Sequence, residues 1–204
     1  MPAVSETIVR EYFELHEFLV RQLRKYIGQT RLETEEDDVD FLVLNPNPQP
    51  REDALPFVLG SADLAAIERA IVVVKGWHTE TFSSGVITQL GPAIFRFAGQ
   101  AAAQRTARAF SKERAPLKIL VVPALPAAAK ARDDSIALLR SKGVDAVIPF
   151  RTILADLVSE CDVNRNYQKS DLLQAIRILK RYDLLKEPQL ELFKSKAPRR
   201  TKGA

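Results

Sequence analysis

The chain has 204 residues, a single cysteine and a formal net charge of +4 at pH 7. One cysteine excludes an intrachain disulfide framework and a cysteine-based zinc site. The sequence contains neither a basic segment leading into an apolar run at its start nor a stretch near the roughly 18 apolar residues of a membrane span. We therefore expect a cytoplasmic protein without a membrane partner.

The first half of the chain is organised around the apolar run Ala70-Ile-Val-Val-Val74, which is typical of a strand buried on both faces of a sheet. Helical spacing of apolar residues follows Ser5, a helix-capping residue type, and prolines after Asn45 stop a preceding strand. In chain order, the predicted elements are a helix over 6–15, strands over 17–26 and 39–44, a helix over 62–69 capped by Ser61, and a strand over 70–74.

The second half alternates strands with helices, which is typical of crossover connections around a covered sheet. Residues 78–99 mix loop and short-helix signals. Gly143 is expected to follow the end of a helix, and Ser170 to cap the last one. The predicted elements are a helix over 100–110, strands over 117–122 and 144–148, and helices over 133–142, 152–161 and 171–182. The pattern predicts an α/β fold with a mixed central sheet of about five strands flanked by helices.

Three regions follow from this pattern. Residues 1–161 are predicted to form one domain, residues 162–193 a C-terminal helical extension packed on it, and residues 194–204 a flexible basic tail. The tail holds five basic residues between Lys194 and Lys202 and no acid. Such a tail favours polyanionic partners, although a solvated terminus has the same composition.

Three charged residues stand at the ends of predicted elements. Glu6 opens the first helix, Asp40 follows Val39 at the head of a strand, and Lys75 ends the apolar run. Together with the element order, these residues resemble the PD-(D/E)XK, or restriction-endonuclease-like, nucleases, and most of all the archaeal Holliday-junction resolvases. The resemblance implies that fold, catalytic roles for Glu6, Asp40 and Lys75, and Mg²⁺ held by Asp40 and Glu6. Position alone favours the simpler interpretation of Lys75, a strand end whose side chain reaches water.

The pattern departs from that family at one position. Two residues before Lys75 the family has a carboxylate, and this chain has Val73, which cannot coordinate a metal. One carboxylate with waters seldom makes a competent Mg²⁺ site. The acids that could replace the missing ligand are Asp38, Asp63, Glu68 and Glu80, and the sequence does not choose among them.

Basic and aromatic residues in three places are candidates for nucleic-acid contacts. The predicted first strand carries three cations, two residues follow Lys75 directly, and a cluster lies on the last helix at i, i+3, i+4 spacing. These candidates are Arg21, Arg24 and Lys25; Trp77 and His78; and Arg177, Lys180 and Arg181. Each set also has a structural interpretation: an exposed strand face, a ring covering the edge of the sheet, or a helix docked on the core with its charges in water.

Three functions remain open at this point. The first is a nuclease-fold protein that binds nucleic acid, DNA rather than RNA, with a degenerate site whose cleavage is weak or lost. The second is an active Mg²⁺-dependent DNA endonuclease with a displaced acidic ligand. The third is a protein-interaction or assembly module, for example a homodimer, that keeps only the fold, because one fold hosts many functions.

Overall fold

The computed structural model describes residues 2–22, 39–99 and 115–185. Five strands form one sheet in the order β1-β2-β3-β4-β5. The strands are β1 Leu19–Gln22, β2 Phe41–Leu44, β3 Arg69–Val74, β4 Leu117–Val122 and β5 Ala146–Pro149. Five α-helices in the described ranges are α1 Pro2–Leu15, α2 Ser84–Gln89, α3 Ala129–Ser141, α4 Phe150–Glu160 and α5 Asp171–Arg181, with 3₁₀ helices at Ser61–Ala66 and Pro92–Ala98.

The sheet is mixed, as the sequence predicts. β2 runs antiparallel to both β1 and β3, and Phe41 lies opposite Gln22 on one side and Val72 on the other. β3, β4 and β5 run parallel. Residues 57–59 lie along the outer side of β5, where Val147 donates to the Phe57 carbonyl and Leu59 donates to the Val147 carbonyl. The α/β class and the five-strand mixed sheet are therefore confirmed.

Side chains alternate along β3 between two apolar cores. Ala70 and Val72 pack in the core that holds α1, α4 and α5, whereas Ile71 and Val73 pack in the core under α2 and α3. This alternation follows from the pleat of a strand whose two faces are both covered. The result is a three-layer arrangement with the sheet in the middle.

The parallel strands define two ends of the sheet. We call the end of the sheet where β3, β4 and β5 finish the carboxyl end. Because β2 is antiparallel to both of its neighbours, β2 begins at this end and β1 finishes at it. At the amino end, the three parallel strands begin. The helix α1 starts at the carboxyl end, since Ser5 contacts His78, and reaches the amino end at His16, which pairs with Asp156 of α4.

Several predicted boundaries differ from the structure. The first helix begins at Pro2, so Ser5 lies inside it rather than capping it. The predicted helix over 62–69 is a 3₁₀ helix that starts at Ser61 and ends at Ala66, after Gly60. Of the predicted strand over 17–26, the four residues of β1 are observed and 23–26 lie outside the described residues. The predicted helix over 100–110 also lies outside them.

The last described helix follows the prediction closely. The Ser170 hydroxyl accepts a hydrogen bond from the Leu173 N–H at 3.1 Å, and α5 begins at the next residue. Leu173 and Ile176 pack in the same core as α1, so this helix belongs to the domain's packing. Residues 186–204, which include the predicted basic tail, lie outside the described part of the chain. Within that part, none of the helices has the length and apolar character needed to cross a membrane.

Candidate functional site

Asp40 is tied to the end of β3 by two hydrogen bonds. Its own N–H donates to the Val72 carbonyl at 3.1 Å, and its carboxylate accepts from the Val74 N–H at 2.7 Å. The residue is 8% exposed. Because its partners stand on either side of Val73, Asp40 spans that residue and is held in one orientation.

Lys75 follows β3 directly, and its backbone continues the parallel pairing. The Lys75 N–H donates to the Val121 carbonyl at 3.0 Å, and the residue is half-buried. The Asp40 carboxylate is bonded to the residue immediately before Lys75. The fold therefore brings Asp40 and Lys75 to the same place at the carboxyl end, although they are far apart in sequence.

Val73 occupies an apolar environment. Its side chain is completely buried and packs in the core that holds Val39, Ile71 and Phe82. A carboxylate here would be buried on the α2 and α3 side of the sheet among hydrocarbon groups, which is costly for a charge without a partner. The departure from the nuclease pattern is thus built into the packing of the sheet.

Glu6 also lies at the carboxyl end, on α1. Its carboxylate accepts a hydrogen bond from the Gln22 side-chain amide at 2.9 Å, and Gln22 is the last residue of β1. The bond ties the first turns of α1 to the adjacent edge of the sheet. Glu6 is therefore engaged with protein in this structure.

Ser5, Gly76 and His78 form a close contact that the sequence pattern misses. A Cβ added to Gly76 would lie 2.9 Å from the Ser5 Cβ and nearer still to the Ser5 hydroxyl, so α1 approaches the chain after β3 as closely as a glycine allows. Ser5 Oγ and His78 Nε2 are 3.0 Å apart. The His78 ring packs edge-on against Phe150 at 4.5 Å. The glycine directly after Lys75 was the available signal for this approach.

Trp77 stands exposed on a buried support. Its ring stacks on Phe82 with centroids 6.3 Å apart and planes at 24°, and Phe82 is fully buried. Trp77 itself is 42% exposed. The sequence leaves two interpretations of Trp77, a ring that covers the sheet edge and a platform on which a base stacks. The observed position of the ring is compatible with both.

Two cavities meet at His78. One of about 750 Å³ lies between the start of α1, residues 76–80 and α2, and Trp77, Glu80 and Gln89 are among its lining residues. The other, of about 410 Å³, lies beside the start of α4. One interpretation of the sequence places Trp77 and His78 at the mouth of a cleft, but the extent of the two cavities depends on how distant helices pack against residues 76–80.

The described residues contain no preformed cluster of metal ligands. Across 2–22, 39–99 and 115–185, no group of three His, Cys, Asp or Glu side chains is placed to hold a metal. Of the candidate replacement acids, Glu68 lies at the amino end, Asp63 binds the Gly60 N–H and pairs with Arg51, and Glu80 lines the larger cavity. Asp38 lies outside the described residues. No chemical step is therefore assigned to a metal.

The predicted basic residues fall in different environments. Arg21 and Arg181 are exposed, and Arg24 and Lys25 lie outside the described residues. Lys180 Nζ donates to the carbonyls of Val158 and Cys161, both at 2.9 Å, and Arg177 Nε donates to the Val163 carbonyl at 2.9 Å. Two cations of the α5 cluster therefore bind the backbone at and just after the end of α4. This position favours a structural use of Arg177 and Lys180.

Cys161 lies beneath these cations at the end of α4. It is fully buried, and its Sγ lies 3.4 Å from the Leu173 carbonyl. Burial raises the pKa of its thiol, while the hydrogen bond from Tyr167 and the charges of Lys180 and Arg177 act in the opposite direction. A neutral, buried thiol fits the packing role expected from the sequence.

No protein-family model, curated protein or solved structure matches this chain. The function must therefore be argued from its own residues. The candidate residues that lie at the carboxyl end are Glu6, Asp40, Lys75, Trp77 and His78, together with Ser5 and Gly76. Glu6 binds Gln22, and its contact is separate from those of Asp40.

Proposed function

We propose that this chain is a nucleic-acid-binding protein with a restriction-endonuclease-like fold, in which the Mg²⁺-dependent phosphodiesterase site is degenerate and cleavage is weak or lost. Two observations support the fold assignment. A helix and a three-strand antiparallel meander precede two further parallel strands, and Asp40 and Lys75 meet at the carboxyl end of that sheet.

The burial of Val73 is the observation that best supports a degenerate site. It stands where the nuclease pattern has a carboxylate, between the two backbone partners of Asp40, and its side chain is completely buried. An acid displaced from that position would have to reach Asp40 from another element, and the described residues hold no cluster of three side chains that could bind a metal. Binding without efficient cleavage is the function that this arrangement supports best.

The same end of the sheet offers groups suited to nucleic acid. Lys75 supplies a cation for a phosphate, Arg21 is exposed near the end of β1, and Trp77 presents a ring to solvent. Phosphate contacts from cations supply most non-specific affinity, and aromatic rings stack on bases of any sequence. DNA is the ligand that we expect.

The binding test compares two lysines at opposite ends of the sheet. Lys75→Ala removes the cation at the carboxyl end, and Lys142→Ala removes an exposed cation after α3, near the amino end. We expect Lys75→Ala to weaken DNA binding in anisotropy titrations and to lower the slope of log affinity against log salt by about one, as for loss of one phosphate contact. Lys142→Ala should bind as the wild type does, and equal binding by all three proteins would refute the assignment of Lys75.

A cleavage assay separates the remaining functions. Wild type and Asp40→Asn are incubated with a panel of branched, single-stranded and duplex DNA in Mg²⁺, Mn²⁺ or EDTA. DNA retained without cutting agrees with the proposal. Metal-dependent cutting that Asp40→Asn abolishes would instead establish an active nuclease with a displaced acid, and absence of both binding and cutting would favour an assembly module.

A further inference from the structure

The larger cavity at the carboxyl end has the size and position of a ligand site. Its volume of about 750 Å³ lies within the roughly 300–1,000 Å³ typical of small-molecule pockets. After β3, its lining begins at Gly76, the residue after Lys75, while Lys75 itself is not among the lining residues. This cavity is distinct from the contacts of Asp40 and Glu6, neither of which lines it.

One wall of the cavity is a prepared aromatic surface. Phe82 supports the Trp77 ring from behind, and the backbone is held on both sides of Trp77. Before it, Gly76 packs against Ser5; after it, the Glu80 N–H donates to the Trp77 carbonyl at 2.9 Å and His78 pairs with Ser5. A ring fixed in this way loses little further freedom when a flat ligand stacks on it.

The remaining lining combines apolar walls with a few polar groups. Val4, Val86 and Leu90 supply hydrocarbon surface, and Thr79, Glu80 and Gln89 supply a hydroxyl, a carboxylate and an amide. A nucleobase matches this combination, because its faces are apolar and its edge carries hydrogen-bond donors and acceptors. A phosphate alone would leave the aromatic and aliphatic walls without a partner.

We infer that this cavity takes one unpaired nucleobase stacked on Trp77, with the adjoining phosphate at Lys75. The inference rests on the proposed function and deepens it, since bases inside a duplex are stacked and paired and cannot enter a pocket without being extruded. The ligand class is therefore single-stranded nucleic acid, or a duplex with unpaired bases at a junction, gap or end.

The test uses the fact that Trp77 is the only tryptophan in the chain. A short mixed-sequence DNA strand and its blunt duplex are titrated into the full chain at one fixed salt concentration, with anisotropy and tryptophan fluorescence read together. We expect tighter binding of the single strand and quenching of Trp77 on its addition. Trp77→Ala should weaken single-strand binding by about 5-fold to 150-fold and change duplex binding little. Trp77→Phe should recover part of the loss.

Tyr182→Ala is the matched control, because Tyr182 is an aromatic residue 72% exposed after α5, outside both cavities. It should bind both DNAs as the wild type does. DNA binding that favours neither form, leaves Trp77 fluorescence unchanged and survives Trp77→Ala would overturn the base pocket but not the proposed function. Absence of binding to every DNA would overturn the proposed function, and the base pocket with it.

Discussion

The two ends of the sheet use their polar side chains in different ways. At the amino end, Lys118 pairs with Asp145 at 3.7 Å, and Lys180 binds two carbonyls at the end of α4. At the carboxyl end, His78 in the chain after β3 contacts Ser5 of α1, and both residues line a cavity of about 750 Å³. These charged groups of the amino end bind partners within the fold, whereas the carboxyl end contains an open cavity.

The difference has a topological cause. Parallel strands leave their following loops at one end of a sheet, so binding groups collect at the carboxyl ends of the strands. Here β3 contributes Lys75 and residues 76–80, and β5 leads directly into Phe150 of α4. Substitutions at one end should therefore leave the contacts of the other end intact.

The largest effect is expected from restoring the acid of the nuclease pattern. Val73→Glu should lower the free energy of unfolding by about 3–5 kcal/mol at neutral pH, because it places an unpaired charge in the apolar core that holds Phe82. Burial raises the pKa of such a carboxyl, so the loss should shrink as the pH falls and the group becomes neutral. Urea unfolding followed by circular dichroism at several pH values measures both quantities.

Val73→Thr provides the control for Val73→Glu, since it keeps the branched shape and replaces one methyl group with an uncharged hydroxyl. We expect a loss of about 1–3 kcal/mol that does not depend on pH. Mg²⁺ should leave the unfolding of Val73→Glu unchanged. If Mg²⁺ stabilised that variant selectively, Asp40 would still stand in the position of a metal ligand, and the acid missing at Val73 would be the cause of the degenerate site.

A smaller effect is expected where α1 meets the chain after β3. Gly76→Ala should lower the free energy of unfolding by about 1–3 kcal/mol, because its Cβ would overlap the Ser5 side chain. Denaturant unfolding measures the loss, and the emission maximum of Trp77 in the native state reports the displacement next to it. Adding Ser5→Gly should recover part of the stability if this overlap is the cause.

Gly85→Ala is the matched control on α2. Its Cβ would meet nothing nearer than the Ser83 hydroxyl at 3.9 Å, so the change should be neutral or stabilise the helix by up to about 1 kcal/mol. A loss at Gly85 equal to the loss at Gly76 would mean that glycine replacement, rather than the close approach of α1, explains the result.

The elements that the sequence predicts best carry their signal locally. The predicted strand over 117–122 coincides with β4, and the strand over 70–74 differs from β3 by one residue, because continuous Val and Ile runs are typical of buried strands. The meeting of Asp40 with the end of β3 is implied by the resemblance to the nuclease family and not by the local pattern. Ser170 was correctly identified as a cap because its partner is three residues away.

The residues whose contacts the sequence does not indicate have partners far away in the chain. Ser5 has the residue type of a helix cap, but it lies inside α1 and its hydroxyl contacts His78, which is 73 residues away in the sequence. Arg177 and Lys180 have the spacing of a solvated helix face, yet their partners are carbonyls of the preceding helix and loop. The periodicity of side chains along one helix gives no information on where the carbonyl groups of another element lie. These hydrogen bonds could therefore not be predicted from the sequence.

The smallest effect concerns the amino end. Lys180→Met keeps the length of the side chain and removes the ammonium that binds two carbonyls at the end of α4, so we expect a loss of about 1 kcal/mol in urea unfolding. Arg181→Ala, an exposed neighbour, should change stability by less than about 0.5 kcal/mol. Each substitution removes one positive charge, and we expect both to lower DNA affinity by the same small amount. If Lys180→Met were instead as stable as the wild type and impaired in DNA binding, Arg177, Lys180 and Arg181 would form a nucleic-acid surface. DNA binding would then not be confined to the carboxyl end.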